Sequence, residues 1–338
     1  MSLKIAINGF GRIGRLTLRA LIERNEKHID VVAVNDLGDF KSNLHLLKYD
    51  SVHGQFKEKI EVKENILKVN SQSINFYNER EPNKLPWKEL NVDVVIESTG
   101  VFTNRKQASK HLEAGARKVL ISAPSSDADQ TVVFGVNHKN IKNTDLLISN
   151  GSCTTNCLAP LAFILHKELG IESGYMTTVH AITGDQNTID TFHKDLRRAR
   201  NSISSMIPTS TGAAKAVEVV MPELKGKLDG SAIRVPTTNV SLVDFCFKTK
   251  QSTDVEKINS LFKKAELSNF KNIVQTINSP LVSSDLNHNP HSSIVDTLET
   301  KVVDQNFCRV LSWYDNEWGF SNRLIDVSLF IFNLNASK

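Results

Sequence analysis

Cysteine is scarce in this chain: four thiols, Cys153, Cys157, Cys246 and Cys308, in 338 residues. Four are too few to staple a chain of this size into a disulfide scaffold. No second ligand pair accompanies the four-residue spacing of Cys153 and Cys157, so no zinc site or other metal is expected. No apolar run reaches the ~18 residues of a membrane span, and no signal-like leader precedes the first strand pattern. Neither charge sign dominates. Lys and Arg number 41 against 37 Asp and Glu, a net charge of +4. The one dense basic cluster, Arg197-Arg198-Ala199-Arg200, is too local for a nucleic-acid face built on a basic stripe. Internal repeats and low-complexity segments are absent. What remains is the composition of a soluble enzyme with reduced thiols, expected in the cytoplasm. With 40% hydrophobic residues it has apolar content for two cores, at ~150 residues per domain.

The first half alternates strand and helix signals. Lys4–Asn8 is a short β run, and Ile13, Leu16, Leu18, Ala20 and Leu21 recur at helical spacing. Further apolar runs follow at Val31–Val34, Val92–Glu97, Lys118–Ser122, Thr131–Val136 and Leu146–Ile148. Short apolar strands separated by helices predict a parallel sheet covered on both faces. Residues 55–78 alternate with charges and predict an antiparallel excursion. The texture changes after Cys153. The runs Gly174–Thr183, Ala232–Arg234, Val240–Lys248 and Cys308–Tyr314 alternate as antiparallel strands do. Ala213–Val220 and Val255–Ala265 read as helices, residues 184–207 as a long polar loop, and about 321–333 as a last helix.

Gly9-Phe10-Gly11-Arg12-Ile13-Gly14 follows the first strand and opens the first helix. Alone, G-x-G-x-x-G is a weak signal. Here a second strand follows, and Asp36 ends it 22 positions after Gly14. That is the dinucleotide fingerprint with its acidic ribose reader. Gly9 permits the tight turn, Gly11 lets the backbone approach a pyrophosphate, and Gly14 lets helix pack on strand; the helix N-terminus then holds the phosphates. Asp36 favours NAD over NADP, because a carboxylate repels a 2′-phosphate. Lys41 is a weak counter-signal.

In Ser149-Asn150-Gly151-Ser152-Cys153-Thr154-Thr155-Asn156-Cys157, an apolar run stops at small polar residues and a helical pattern begins. Cys153 therefore falls in a first helical turn, with Asn150, Ser152 or Thr154 as cap. Unpaired N–H groups there favour an anion, so the thiol is expected to ionise more easily than a free one. With a histidine beside it, such a thiol is a covalent nucleophile; without one, it is a small buried cysteine. His180 ends an alternating strand and leads into the long loop, as a site base or as a hydrogen-bonded core histidine. Arg234 is a cation within the apolar run Ile233-Arg234-Val235. If buried it needs an anion, either a ligand or an internal carboxylate. Thr209-Ser210-Thr211-Gly212-Ala213 opens a helix, as a cap or as an anion site.

Taken together these segments resemble the phosphorylating glyceraldehyde-3-phosphate dehydrogenase family. The matching stretches are Ile7–Arg15, Lys48–Gly54, Ser152–Pro160, Thr178–Ala181, Ser210–Ala216 and Ser312–Glu317, spread over nearly the whole chain. The resemblance implies a Rossmann-type parallel-sheet NAD domain at 1–150, completed by a C-terminal helix at 318–338, and an α+β catalytic domain with a mainly antiparallel sheet at 151–317. It implies NAD-dependent oxidative phosphorylation of glyceraldehyde 3-phosphate in a homotetramer, with inorganic phosphate as co-substrate, Cys153 as nucleophile and His180 as base. Gly9, Gly11, Arg12, Ile13, Gly14, Asp36, Arg80, Ser122 and Asn316 would contact the cofactor, Asn316 at the nicotinamide amide. Ser152, Thr154, Thr183, Arg198, Thr211, Gly212 and Arg234 would form two anion sites, with Arg197 and Arg200 competing for the place of Arg198. Three departures from the family pattern are visible. Gly151 stands where alanine is more usual, and Phe320 where tyrosine is common. Thr191-Phe192 stands where strictly NAD-dependent members carry Leu-Pro, which leaves NADP use open. The alternatives are an erythrose-4-phosphate dehydrogenase, which shares the cysteine, histidine and cofactor fold, and a non-catalytic dinucleotide- or RNA-binding protein, for which no recognition motif is present.

Overall fold

A computed structural model describes residues 2–70 and 72–336, so the expected extension of the last helix to 338 ends outside the described residues. The chain divides into two compact units. The first contains the residues up to Phe134, His138–Gly151 and the chain from Ser321 onward; the second contains Gly135–Asn137 and Ser152–Phe320.

The first unit is built on a sheet whose described strands run, in spatial order, Gln130–Thr131, Leu147–Ser149, Lys118–Ile121, Val94–Glu97, Leu3–Asn8, Ile29–Asn35, Gln72–Tyr77, Ile66–Val69 and Ile60–Lys63. The pairings are parallel from Gln130–Thr131 through Gln72–Tyr77, and the last two are antiparallel. The charged alternation over 55–78 thus marks the antiparallel hairpins it predicted, and the apolar runs mark the parallel strands. Helix Arg12–Glu23 buries Leu16, Leu18, Ala20 and Leu21, the side chains whose spacing announced it. The expected strand over 131–136 is a correction: pairing stops at Thr131, and Phe134–Asn137 turn. Gly135 at φ 91° bends the chain there, Val132 and Val133 are buried, and the Val132 amide still donates to the Ser149 carbonyl at 2.8 Å. Within this unit the last helix, Trp318–Ala336 from Ser321 on, is held by Arg24, whose guanidinium reaches the Asp326 carboxylate at 2.8 Å.

In the second unit the described strands lie in the order Ile207–Ser210, Leu228–Val235, Ile171–Ala181, Ser241–Thr249, Phe307–Tyr314, Ser293–Val303 and Val274–Ile277. Most pairings are antiparallel, but Leu228–Val235 runs parallel to Ile171–Ala181, with His180 opposite Arg234, and Val274–Ile277 runs parallel to Ser293–Val303. The two parallel pairs and the strands Ser293–Val303 and Val274–Ile277 were not legible as such in the sequence. Helices Cys153–Leu169, Ala213–Val220 and Val255–Glu266 complete the unit. Between Ile182 and Met206 the backbone forms turns but neither helix nor strand, as the polar loop composition predicted.

Candidate active site

In the first unit the glycine loop joins the end of strand Leu3–Asn8 to helix Arg12–Glu23. Gly9 has φ 91°, and a Cβ there would lie 2.6 Å from the Thr99 amide nitrogen. A Cβ on Gly14 would lie 2.1 Å from the Gly9 carbonyl oxygen, so helix and loop meet in the way only glycine permits. Gly11 is different: a Cβ there would meet nothing within 4 Å. It caps the helix without a side-chain hydrogen bond, so the helix N-terminus suits an anion. The loop opens onto a groove of about 350 Å³ lined by Asn8, Gly9, Gly11, Asp36, Arg80 and Thr99, among others. Asp36 sits at its edge. Its Oδ2 accepts from the Phe10 amide at 2.7 Å and its Oδ1 from the Gly38 amide at 2.7 Å. The Asp36 carboxylate therefore anchors the glycine loop. Clear space over Gly11, donors without a cap and an anchored acidic acceptor together fit a dinucleotide. Arg12 is paired with the buried carboxylate of Asp50. Ser122 lies at the end of strand Lys118–Ile121, with its amide on the Glu97 carbonyl, outside the residues lining the groove.

Sequence reasoning missed Asn8, Asn35, Ser98, Thr99, Val101 and Phe102 in that groove. Behind it lies a buried network. Glu97 Oε2 accepts from the Asn8 amide at 2.6 Å and lies 3.0 Å from His111 Nε2, while Glu97 Oε1 accepts from the Thr99 backbone. Trp87 donates to His111 Nδ1 at 3.0 Å. A glutamate ending an otherwise apolar strand was the available signal.

In the second unit Cys153 opens helix Cys153–Leu169, capped by Ser152, whose Oγ accepts from the Thr155 amide at 3.1 Å. Among the three expected caps it is Ser152 that serves. Gly151 has φ 63°, which explains glycine rather than alanine before Ser152. Cys153 Sγ lies 3.5 Å from His180 Nε2. His180 Nδ1 is 2.7 Å from the Ala181 carbonyl and 2.7 Å from Arg234 Nη1. Parallel pairing of their strands is what sets this arginine beside this histidine.

Burial pushes the Cys153 thiol above its ordinary value, against the Arg234 charge and hydrogen bonds from Thr154. Burial also pulls the His180 imidazole down to about 3, aided by the charge of Arg234. Burial thus works against the helix terminus, which by itself favours the thiolate.

Arg234 Nε is buried with no hydrogen-bond partner, and among the described residues no carboxylate pairs with Arg234. The internal ion-pair alternative is thus not what the structure contains. Arg198 is the member of the basic cluster turned inward. Its guanidinium is bonded to Asp185, to Thr209 Oγ1 at 2.9 Å and to the Ser210 carbonyl at 3.2 Å. Arg200 is 70% exposed on Asp190, and Arg197 receives its anchor only through its backbone amide. Gly212 precedes helix Ala213–Val220 without a side-chain cap, while Thr211 Oγ1 accepts from the Ala213 amide at 3.3 Å. Thr183 Oγ1 bonds Gln186 at 3.1 Å. The Thr154 hydroxyl is buried against Tyr314 Oη at 2.8 Å, so of this residue it is the backbone that stays next to Cys153. Asn316 Oδ1 accepts from Ser241 Oγ at 2.8 Å.

Residues 3–105 match the NAD binding domain of glyceraldehyde 3-phosphate dehydrogenase, and residues 152–316 match its C-terminal domain. The glyceraldehyde-3-phosphate dehydrogenase of Xanthobacter flavus is 55% identical over 329 residues, covering 97% of this chain and 98% of that protein. The chain belongs to the glyceraldehyde-3-phosphate dehydrogenase family. The enzyme of that name from Geobacillus stearothermophilus is 52% identical over 332 residues, 98% of each chain, and the chromosomal one of Cupriavidus necator 54% over 331 residues, 97% and 98%. The match over residues 3–105 covers the glycine loop and Asp36, and the match over residues 152–316 covers Cys153 and His180. Among the described residues no helix is long and apolar enough to cross a membrane.

Proposed function

We propose that Cys153 is the nucleophile and His180 its base in the oxidative phosphorylation of glyceraldehyde 3-phosphate to 1,3-bisphosphoglycerate. The observation that carries these roles is the 3.5 Å approach of Sγ to Nε2, with Arg234 on the far nitrogen of the same ring. NAD, when bound by Gly9, Gly11, Arg12, Ile13, Gly14, Asp36, Arg80 and Ser122, with Asn316 on its nicotinamide amide, supplies the acceptor for the aldehyde hydride. Cys153 Sγ bonds to the aldehyde carbon as its proton passes to Nε2 and from there to the carbonyl oxygen, giving a hemithioacetal; the same nitrogen takes that hydroxyl proton back when the hydride leaves. The ring has two settings. With Nδ1–H on the Ala181 carbonyl, Nε2 is an acceptor for the thiol proton. With Nδ1 accepting from Arg234, Nε2–H is a donor to the developing oxyanion. Once C1 is oxidised, Cys153 holds the acyl group as a thioester. Inorganic phosphate attacks that carbon, the C–S bond breaks, and an acyl phosphate leaves. Arg234, Arg198, Ser152, Thr183, Thr211 and Gly212 bind the two phosphates, and the Thr154 backbone stays beside the sulfur.

A steady-state assay of NAD reduction tests the reading. Glyceraldehyde 3-phosphate should be oxidised fast only with inorganic phosphate present, and erythrose 4-phosphate more slowly. Faster turnover of erythrose 4-phosphate, or none with either, would overturn it.

His180→Asn should slow turnover by roughly 10²- to 10⁴-fold and change substrate affinity little. It should also raise the pH at which Cys153 reacts with iodoacetamide. Thiolate accumulates as pH rises, and a thiolate without the imidazole partner needs a higher pH still. An unchanged alkylation profile would separate His180 from the cysteine.

Asp36→Ala should weaken NAD by roughly ten-fold, since it removes both a ribose acceptor and the tie to the Phe10 amide, and should weaken NADP less. Wild-type preference for NADP would show that the loop bearing Thr191 and Phe192, the latter 93% exposed, overrides Asp36. We also infer a cytoplasmic homotetramer. Four free thiols support a reducing compartment. The exposed apolar side chains Ile189, Phe192, Leu196, Ile203 and Met206 support a subunit contact in the 182–206 loop, which sedimentation at micromolar concentration would test.

A further inference from the structure

We propose that Ser241 is a positioning residue: its hydroxyl sets the orientation of the Asn316 amide and ties it to the residue next to the base. The proposal rests on the reading of Asn316 as the contact for the nicotinamide amide.

Ser241 opens the strand Ser241–Thr249 and is 1% exposed. Its Oγ accepts from the Ala181 backbone N–H at 3.0 Å and donates to Asn316 Oδ1 at 2.8 Å. The direction of this relay is dictated by its first member. A backbone N–H is only a donor, so it takes a lone pair of the hydroxyl, and the hydroxyl proton goes on to an acceptor. The oxygen of Asn316 is that acceptor. A flipped amide would set two donors against one oxygen and leave the hydroxyl proton without a partner. With Oδ1 held, Nδ2 is the group left to donate, and among the described residues no protein atom accepts from it. A carboxamide oxygen on a ligand is the complement of that donor.

The backbone around Asn316 is held separately. Asp315, buried, accepts from the amides of Glu317 at 3.0 Å and Trp318 at 2.7 Å on one oxygen. On the other it accepts from Asn239 Nδ2 at 2.8 Å and the His288 amide at 2.7 Å. Four donors hold the main chain on either side of Asn316, so the remaining freedom is rotation of its own side chain. Ser241 removes that freedom. At its other end the relay reaches residue 181, whose carbonyl lies 2.7 Å from His180 Nδ1. One hydroxyl thus couples the base and the nicotinamide reader, and a preorganised donor binds without reorganising.

The test measures dissociation constants of NAD and of ADP-ribose, which lacks the nicotinamide, by titration calorimetry on the intact protein. Variants are Ser241→Ala, Ser241→Cys and Asn316→Ala, with melting temperature recorded for each. Ser241→Ala should weaken NAD by roughly three- to ten-fold and leave ADP-ribose unchanged. Ser241→Cys, which keeps the volume but donates weakly, should follow it and covers failure of the alanine variant to fold. Asn316→Ala should show the same selective loss. If the serine variants leave NAD unchanged, or weaken both ligands by one factor, or if cysteine behaves as wild type, the positioning role is overturned. A selective loss in Asn316→Ala would then leave the nicotinamide contact standing. If Asn316→Ala itself leaves the ratio of the two constants unchanged, the contact falls and Ser241 with it.

Discussion

Cys153→Ser should lower dehydrogenase turnover by on the order of 10⁴-fold or more while leaving NAD binding nearly intact. The hydroxyl of serine is far harder to deprotonate than a thiol. The base beside the sulfur, His180, is itself pulled down to about 3 by burial and the Arg234 charge. A base so weak in the resting state serves a thiol, which needs little driving, and fails with an alcohol. Most of the proposed cofactor residues, on the glycine loop and at Asp36, lie in the other compact unit, so NAD affinity should stay within about two-fold. Single-turnover rates with glyceraldehyde 3-phosphate, with NAD titrated separately, measure both halves. Turnover near wild type would remove Cys153 from the chemistry. Lost NAD affinity with a lowered melting temperature would mark a structural cysteine.

Arg234→Leu should raise the Michaelis constant for glyceraldehyde 3-phosphate by roughly 10²-fold, the equivalent of about 2–3 kcal/mol of charge-assisted hydrogen bonding. Its Nε is buried without a partner, and leaving such a cation uncompensated is expensive unless an anion arrives. The structure adds a second contact, since Nη1 lies 2.7 Å from His180 Nδ1 and donates to the Ala181 carbonyl at 3.2 Å. Unphosphorylated glyceraldehyde should therefore also lose efficiency, but by much less, because it loses only the support of His180. Removing the nearby charge also raises the pH of Cys153 alkylation, since Arg234 stabilises the thiolate. Equal losses for the two aldehydes would show that Arg234 serves the histidine alone and binds no substrate phosphate. Lysine should replace it poorly, lacking the planar fork that spans two acceptors.

Much of the fold was legible because its signals are local. The glycine spacing, the apolar strand before it and Asp36 after it lie on one continuous stretch; Gly14 is demanded by the Gly9 carbonyl within it and Gly9 by Thr99, while Gly11 faces open space. The helix at Cys153 was legible for the same reason: small polar residues followed by apolar periodicity are a property of neighbours along the chain. Where the reading failed, the deciding partner was remote. The run at 131–136 is apolar enough for a strand, but its neighbour, Leu147–Ser149, pairs only through Thr131, and a turn at Gly135 takes over. The bond of the Thr154 hydroxyl to Tyr314, 160 positions away, is likewise set by a remote partner and not by the residues around Cys153.

By itself, then, the sequence determined which elements form, which loop cradles a dinucleotide and which residue types carry the chemistry, since these follow from side-chain period, backbone freedom at glycine and charge. Only the tertiary structure decided which of three neighbouring arginines turns inward, that among the described residues no carboxylate pairs with Arg234, and that burial raises the thiol and lowers the imidazole. Those outcomes depend on desolvation and on atoms brought together by strand pairing, such as His180 opposite Arg234. Neither quantity is a property of a segment. Both arise only when the sheet has closed around the site and excluded water from it.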